Sequence, residues 1–321
     1  MPRILCIGEC MVELAPQGDP GLFRMGFAGD TMNTAWYLRQ LLPQADTVDY
    51  LTAVGSDAVS DQLVAHLQDA GLGTDHVARR ADRTVGLYMI QLQDGERSFA
   101  YWRGQSAART LAAEDAPLEA ALEGAGLVYL SGITLAILPP PDRDRLLRHL
   151  ARVRSSGTRI AFDSNLRPRL WETPAVMTDA VMRAAAVSDI VLPSHDDEAT
   201  WFGDADPAAT AERYARAGAS EVVVKNGSGP IRSLCDGTAT DHAPVPVPRV
   251  VDSTAAGDSF NAGFLAGRLQ GADVAQAVHL GARLSAQVIQ TRGALLALSD
   301  ADRAALVPPA GPEGLDHSPA K

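Results

Sequence analysis

Cysteine is scarce in this chain: three residues in 321, at positions 6, 10 and 235. So sparse and odd a set excludes a disulfide framework and suits a reducing compartment. Cys6 and Cys10 stand four apart with no second Cys or His pair nearby, so they read as core thiols rather than metal ligands. Basic residues are also in deficit, with 28 Lys and Arg against 39 Asp and Glu and a formal net charge of -11. That argues against nucleic acid and anionic membranes as partners, because both need basic surface. A local basic pocket for a small anion stays open. No apolar run approaches the roughly 18 residues of a membrane span. The opening "MPRILCIGECMVEL" lacks the basic region, apolar stretch and cleavage site of a secretory signal. The expectation is a soluble, cytoplasmic protein.

Two nucleotide signatures are missing as well. There is no G-x-x-x-x-G-K-[ST], and no G-x-G-x-x-G between a strand and a helix, which leaves a nicotinamide dehydrogenase poorly supported. The seven His residues show no ligand spacing, and no Ser/His/Asp set is evident.

What is present is a hydrophobic content of 46%, enough for one large α/β domain or two ordinary ones. Short β-branched runs, "RILCIG" (3–8), "YLTAVG" (50–55), "LVYLSG" (127–132), "RIAFDSN" (159–165), "DIVLPS" (189–194) and "EVVVKNG" (221–227), alternate with helical patterns. Helices are expected at about 31–42, 58–70, 142–155, 174–187, 207–217, 258–270 and 273–290. Continuously apolar strands are covered on both faces, so the alternation predicts an α/β fold with a doubly wound, mainly parallel sheet flanked by helices. Residues 85–103, "VGLYMIQLQDGERSFAYWR", break the pattern: two strand-like runs meet at Asp94-Gly95, a strong hairpin turn. Facing residues then sum to 189, which sets Tyr88 opposite Tyr101 and Gly86 opposite Arg103. Tyr88, Tyr101 and Arg103 share one face, and Leu87 and Trp102 the other. With "VELAPQGDPGLFRMGFAG" (12–29), this predicts a small antiparallel β lid from segments about 10–29 and 84–105, inserted in one domain over 1–306. The tail at 307–321 reads as disordered.

The chemistry gathers in a few stretches. In "DSTAAGDSFNAGFLAG" (252–267), Ala255, Ala256 and Gly257 carry almost no side chain where a helix begins. Their amides could face a transferring phosphoryl group, with Asp258 as general base towards a substrate hydroxyl. An aspartate favouring the helix dipole, with small residues for tight packing, explains this stretch equally well. Gly263 and Gly267, one turn apart, allow close approach. "FAGDTMNTAWYL" (27–38) offers Gly29, then Asp30 or Thr31 as a cap, and Asn33 in the first turn; a plain capped helix accounts for it too. In "FDSNLRPRLW" (162–171), an extended chain would project Asp163, Asn165 and Arg167 on one side at a strand's carboxyl end, where doubly wound sheets bind ligands. A charged loop is the plain alternative. "PSHDDEATWFG" (193–203) crowds Asp196, Asp197 and Glu198, suiting hydrated Mg²⁺ or simply an acidic helix start.

Together these stretches resemble one known set. "DSTAAGDSFNAGFLAG" resembles the C-terminal signature of the ribokinase-like (PfkB) carbohydrate kinases, and "AGDTMN" their N-terminal Gly-Gly motif, with Ala28 replacing the first glycine. The resemblance implies a ribokinase-like fold with a β lid and Mg-ATP-dependent phosphorylation of a sugar hydroxyl. It assigns Asp258 as base, Ala255, Ala256 and Gly257 as anion hole, and Gly29, Asp30 and Asn33 to the substrate. Ser194 and Asp197 fall where the family has Asn-x-x-Glu, with Glu198 adjacent, so either acid could serve the Mg²⁺–phosphate network. "KNGSG" implies Lys225 and Gly227 beside ATP. Asp252 and Thr254 match positions where some members hold K⁺. "GLYMI", "ERSFAYWR", "SAAR", "LSGI" and "DSNLRPRLW" look most like kinases of 2-dehydro-3-deoxygluconate, implying Tyr88, Tyr101, Arg103 and Arg167 around that sugar acid. Its carboxylate suits arginine, whereas a neutral sugar gives no reason for two arginines. A fructokinase-like neutral-sugar kinase and a non-catalytic sugar-acid binder are the alternatives. A homo-oligomer stays open.

Overall fold

Strand β1 (Arg3–Ile7) sends alternate side chains into two separate cores: Ile4 and Cys6 into one, Leu5 and Ile7 into the other. A continuously apolar strand has this physical meaning, since each face is covered by its own layer. The computed structural model describes residues 2–19, 21–93 and 96–306. The Asp94-Gly95 turn and the tail at 307–321 lie outside these residues.

The main sheet continues through β4 (Thr47–Gly55), β5 (Val77–Arg80), β8 (Leu127–Ser131), β9 (Arg159–Asp163), β10 (Ile190–Val191), β11 (Glu221–Val224), β12 (Ile231–Cys235) and β13 (Thr238–His242). Its order is β13-β12-β11-β10-β9-β8-β1-β4-β5. Pairs from β5 to β11 are parallel, and β12 and β13 add an antiparallel edge. One core is closed by α1 (Asp30–Leu41), α2 (Ala58–Asp69), α9 (Ala256–Leu269) and α10 (Val274–Val288), through residues such as Leu38, Leu63, Phe264 and Leu284. The other is closed by α3 (Asp115–Leu122), α5 (Pro140–Ser155), α6 (Pro174–Ala186) and α8 (Pro207–Ala217), through Leu118, Leu146, Met177 and Tyr214. Helices α3, α4 (Gly132–Ile137) and α11 (Asp300–Leu306) had no sequence counterpart, whereas α7 (His195–Phe202) begins at the acidic stretch that the sequence offered as a helix start. The strand expected at 189–194 shrinks to Ile190–Val191, because Pro193 interrupts the ladder before one further bridge joins Ser194 to Lys225.

A second sheet, in the order β3-β2-β6-β7, contains β2 (Met11–Pro16), β3 (Phe23–Ala28), β6 (Leu87–Gln93) and β7 (Glu96–Trp102). Two antiparallel pairs are joined by a parallel β2–β6 contact. Tyr88 faces Tyr101 and Leu87 faces Trp102, as the turn arithmetic requires. The face carrying Tyr88 and Ile90 meets Met11, Ala28 and Ala255 in a small third cluster, so the lid rests on the start of α9. α9 itself is fixed by α10: a Cβ at Gly263 would stand 2.6 Å from the Gly281 Cα, and one at Gly281 2.6 Å from the Phe260 carbonyl. No helix among the described residues is long and apolar enough to cross a membrane.

Candidate active site

The turn before α9 is fastened from inside. One oxygen of Asp252 accepts from the Thr254 amide at 3.1 Å and hydroxyl at 2.7 Å, and the other from the Gly293 amide at 2.7 Å. Ala255 then adopts φ 60° and ψ 16°, left-handed backbone in a residue with a side chain. The Ala256 amide is used within the turn, donating to the Ser253 carbonyl at 3.2 Å. Among the described residues the Ala255 and Gly257 amides have no such acceptor. Of the three amides expected to face an anion, these two are left as open donors.

Asp258 follows in the first turn and accepts from Asn33 Nδ2 at 2.7 Å, a contact between residues 225 apart in sequence. Gly29, at the start of α1, must be glycine for space, since a Cβ there would meet the Glu9 carbonyl at 2.1 Å. Gly29 also takes the cap position expected of Asp30 or Thr31, and no side chain caps this helix. Thr31 instead bonds the Tyr50 hydroxyl at 2.9 Å, and Asp30 accepts from Asn165 Nδ2 at 2.8 Å. Burial first, and then the charge of Asp30, push the Asp258 carboxyl up to about 8; the Asn33 hydrogen bond and Lys225 pull against this. Burial raises Asp30 likewise. Both carboxyls are thus biased towards their protonated forms.

Lys225 follows the carboxyl end of β11, where one further bridge joins it to Ser194. Its Nζ lies 3.2 Å from Asp163 Oδ2 and 3.0 Å from Asn261 Oδ1. Asn261 Nδ2 donates to the same Asp163 oxygen at 2.7 Å and to the Tyr129 hydroxyl at 3.0 Å. A Cβ built on Gly257 would stand 3.6 Å from Lys225 Nζ, so the ammonium borders the open amides of the helix start. Gly227 turns the following loop with φ 54°.

Two expectations need correction, and a third set of residues carries contacts that the sequence did not announce. The "DSNLRPR" segment is not extended: Asp163 Oδ1 accepts from the Asn165 amide at 3.2 Å, Asn165 has φ 31°, and Pro168–Leu170 forms a 3-10 turn. This local turn aims Asn165 at Asp30 and leaves Arg167 half-exposed, 3.6 Å from the Asp197 carboxylate. Glu198 does not reach the site surface, because it is fully buried against Arg213 at 2.6 Å and the Tyr214 hydroxyl at 3.0 Å. Arg103, just past β7, does not stand free: its Nε donates to Glu9 Oε2 at 2.8 Å, and its Nη2 to the same oxygen. Tyr88 likewise donates to Glu13, while exposed Tyr101 lies 5.9 Å away, ring to ring. Sequence reasoning missed Glu9, Glu13, Tyr129 and Asn261. Two acids four apart in the apolar "GECMVEL" were the available signal.

Among the described residues no three His, Cys, Asp or Glu side chains converge as a metal cage. Mg²⁺ on a nucleotide uses one or two carboxylates, with water and phosphate completing its shell. Asp197 suits that mode: burial raises its carboxyl, Arg167 lowers it, and Asp163 and Lys225 stand within electrostatic reach.

A model of the pfkB family carbohydrate kinases matches residues 1–301. The chain belongs to the pfkB family of carbohydrate kinases. This carbohydrate kinase is 40% identical over 303 residues to the 2-dehydro-3-deoxygluconokinase of Dickeya dadantii (strain 3937), covering 92% of this chain and 97% of the relative. Among solved structures, the PfkB protein from Polaromonas sp. JS666 superimposes with a TM-score of 0.80 at 29% identity, over 90% of this chain and 96% of that one. The fructokinase with bound ATP from Xylella fastidiosa does so with a TM-score of 0.80 at 24% identity, over 95% and 97%. The ribokinase-like fold of the kinase follows from these likenesses.

Proposed function

We propose that this kinase transfers the γ-phosphoryl group of ATP to a primary hydroxyl of 2-dehydro-3-deoxy-D-gluconate. The observation that carries the reading is Asp258, half-buried at the start of α9, held by Asn33 and opposed by the charge of Asp30. The named relative at 40% identity supplies the substrate class. In the proposed reaction Gly29, Asp30 and Asn33 hold the sugar hydroxyls. The alcohol oxygen attacks the γ-phosphorus, its proton passes to Asp258, and the bond to the bridging oxygen breaks to leave ADP. The Ala255 and Gly257 amides, with Lys225 beside them, stabilise charge on the transferring group. Ser194 and Gly227 border the nucleotide. Asp197, through water, would help hold a Mg²⁺ that neutralises the phosphates. Tyr88, Tyr101, Arg103 and Arg167 surround the acid end of the substrate. K⁺ near Asp252 and Thr254 would steady the turn before α9.

A neutral-sugar kinase on the same scaffold is the nearest rival, and a binder without turnover the next. One assay separates them: ADP formation across a panel of sugar acids and neutral sugars, repeated in K⁺, Na⁺ and a bulky organic cation. The expected outcome is the highest kcat/KM on 2-dehydro-3-deoxygluconate and a rate raised by K⁺. Preference for fructose would replace the substrate, absence of ADP would replace the activity, and equal rates in all cations would remove K⁺.

A further inference from the structure

We infer that Glu9 is a positioning residue, which sets the guanidinium of Arg103 for a ligand carboxylate; this rests on the sugar-acid reading above. The Arg103 side chain is 9% exposed and that of Glu9 1%. A buried ion pair is weak evidence for stability, since desolvation offsets much of the attraction, so its geometry is the more informative property. Arg103 Nε and Nη2 both donate to one oxygen, Glu9 Oε2. The guanidinium is a rigid planar fork, and this contact occupies one of its edges. The other edge, Nη1 with the second Nη2 hydrogen, has no acceptor among the described residues. A carboxylate can take that edge with two parallel hydrogen bonds.

Glu9 is itself wedged in place. A Cβ at Gly29 would meet its carbonyl oxygen at 2.1 Å, and a Cβ at Gly86 its Oε1 at 2.7 Å. Gly29 begins the helix bearing Asp30 and Asn33, and Gly86 enters the lid strand bearing Tyr88. Glu9 thus packs its backbone against the start of the hydroxyl-binding helix and its side chain against the lid strand and the lid arginine. Asp30 lies within electrostatic reach of Arg103, so an arginine released by Glu9 has a second carboxylate to turn towards and would leave the geometry set by Glu9.

The test separates geometry from charge. Glu9→Gln keeps the accepting oxygen in position and loses the charge. Glu9→Asp keeps the charge and the ion pair but draws the guanidinium back by one methylene. Sugar-acid affinity is measured by calorimetry without nucleotide, together with KM and kcat. Glu9→Asp is expected to raise Kd and KM for the acid about tenfold, roughly one charge-assisted hydrogen bond, with a smaller change in kcat and in KM for ATP. Glu9→Gln should stay within about threefold of wild type, and in an Arg103→Ala background Glu9→Asp should add less than about twofold. The reverse order, Asp tolerated and Gln impaired, would show the pair to be structural and overturn the inference. So would a full additional effect of Glu9→Asp without Arg103. If wild type binds the acid and neither variant changes that affinity, the inference alone fails. If wild type ignores the acid and phosphorylates a neutral sugar, the substrate reading fails and takes the inference with it.

Discussion

Asp258 and Asp30 stand half-buried at the starts of α9 and α1, held by Asn33 and Asn165, and the charge of Asp30 opposes ionisation of Asp258. Their carboxyls are raised above the ordinary range, so the folded chain binds protons that the unfolded chain has released. The stability this contributes is present below the ordinary carboxylate pKa and is lost as pH rises through the folded value. Function needs the opposite, because a base must be ionised. Asp258→Asn should therefore lower kcat about 10²- to 10⁴-fold at pH 8, yet raise the melting temperature there, with the gain shrinking towards pH 5. The acid limb of wild-type kcat/KM should lie above the usual carboxylate range, and Asp30→Asn should move it to lower pH. Near wild-type turnover in Asp258→Asn would place the base elsewhere. Asp258 was legible because it follows three small residues at a helix start. Asn261 and Tyr129, polar groups inside an apolar helix and strand, gave no spacing to read, and only the fold brings them to Asp163.

The start of α9 joins local strain to packing. Ala255 holds a left-handed conformation that disfavours a side chain by about 1–2 kcal/mol. Its methyl is buried against the lid cluster of Met11, Tyr88 and Ile90, and burying one such group contributes about 0.8 kcal/mol. Glycine would relieve the strain, lose the methyl contact and loosen the unfolded chain by about 0.4–1 kcal/mol. These terms nearly cancel. Ala255→Gly should thus change stability by less than about 1 kcal/mol and keep turnover, whereas Ala255→Val, β-branched in left-handed backbone, should destabilise by about 2 kcal/mol or more and lose activity. Denaturant melts and ADP assays on the two variants check this; a tolerated valine would mean that the turn relaxes out of this conformation. Regular elements were legible through period and composition. The segment at 163–170 was not, because Pro168 argued for an extended chain while the Asp163 carboxylate capped a turn at Asn165.

Across the whole molecule, parallel pairing was legible because apolar runs such as Val222–Val224 can only be buried on two faces. The lid register was legible because one two-residue turn fixes every facing pair. What the sequence withheld was partner choice among buried charges: Glu9 finds Arg103 and Glu13 finds Tyr88 across 94 and 75 residues. The Glu9–Arg103 pair joins the segment after β1 to the end of the lid, and Glu13–Tyr88 joins two lid strands, so a ligand held beside them should stabilise the chain as a unit. At one hundred times Kd, binding adds about 2.7 kcal/mol to folding stability. With an unfolding entropy of about 2.1 cal/mol/K per residue, a chain of this length should melt about 4 °C higher. 2-Dehydro-3-deoxygluconate is expected to produce that rise without ATP, and fructose at the same concentration is not. Arg167→Ala, which removes a half-exposed arginine from the strand-end side, should shrink the rise for the acid while leaving the unliganded melting temperature within about 1 °C, since exposed ion pairs contribute little. An equal rise for the acid in Arg167→Ala and wild type would leave Arg103 as the arginine that meets the carboxylate, and would assign Arg167 to the Asp197 side of the site.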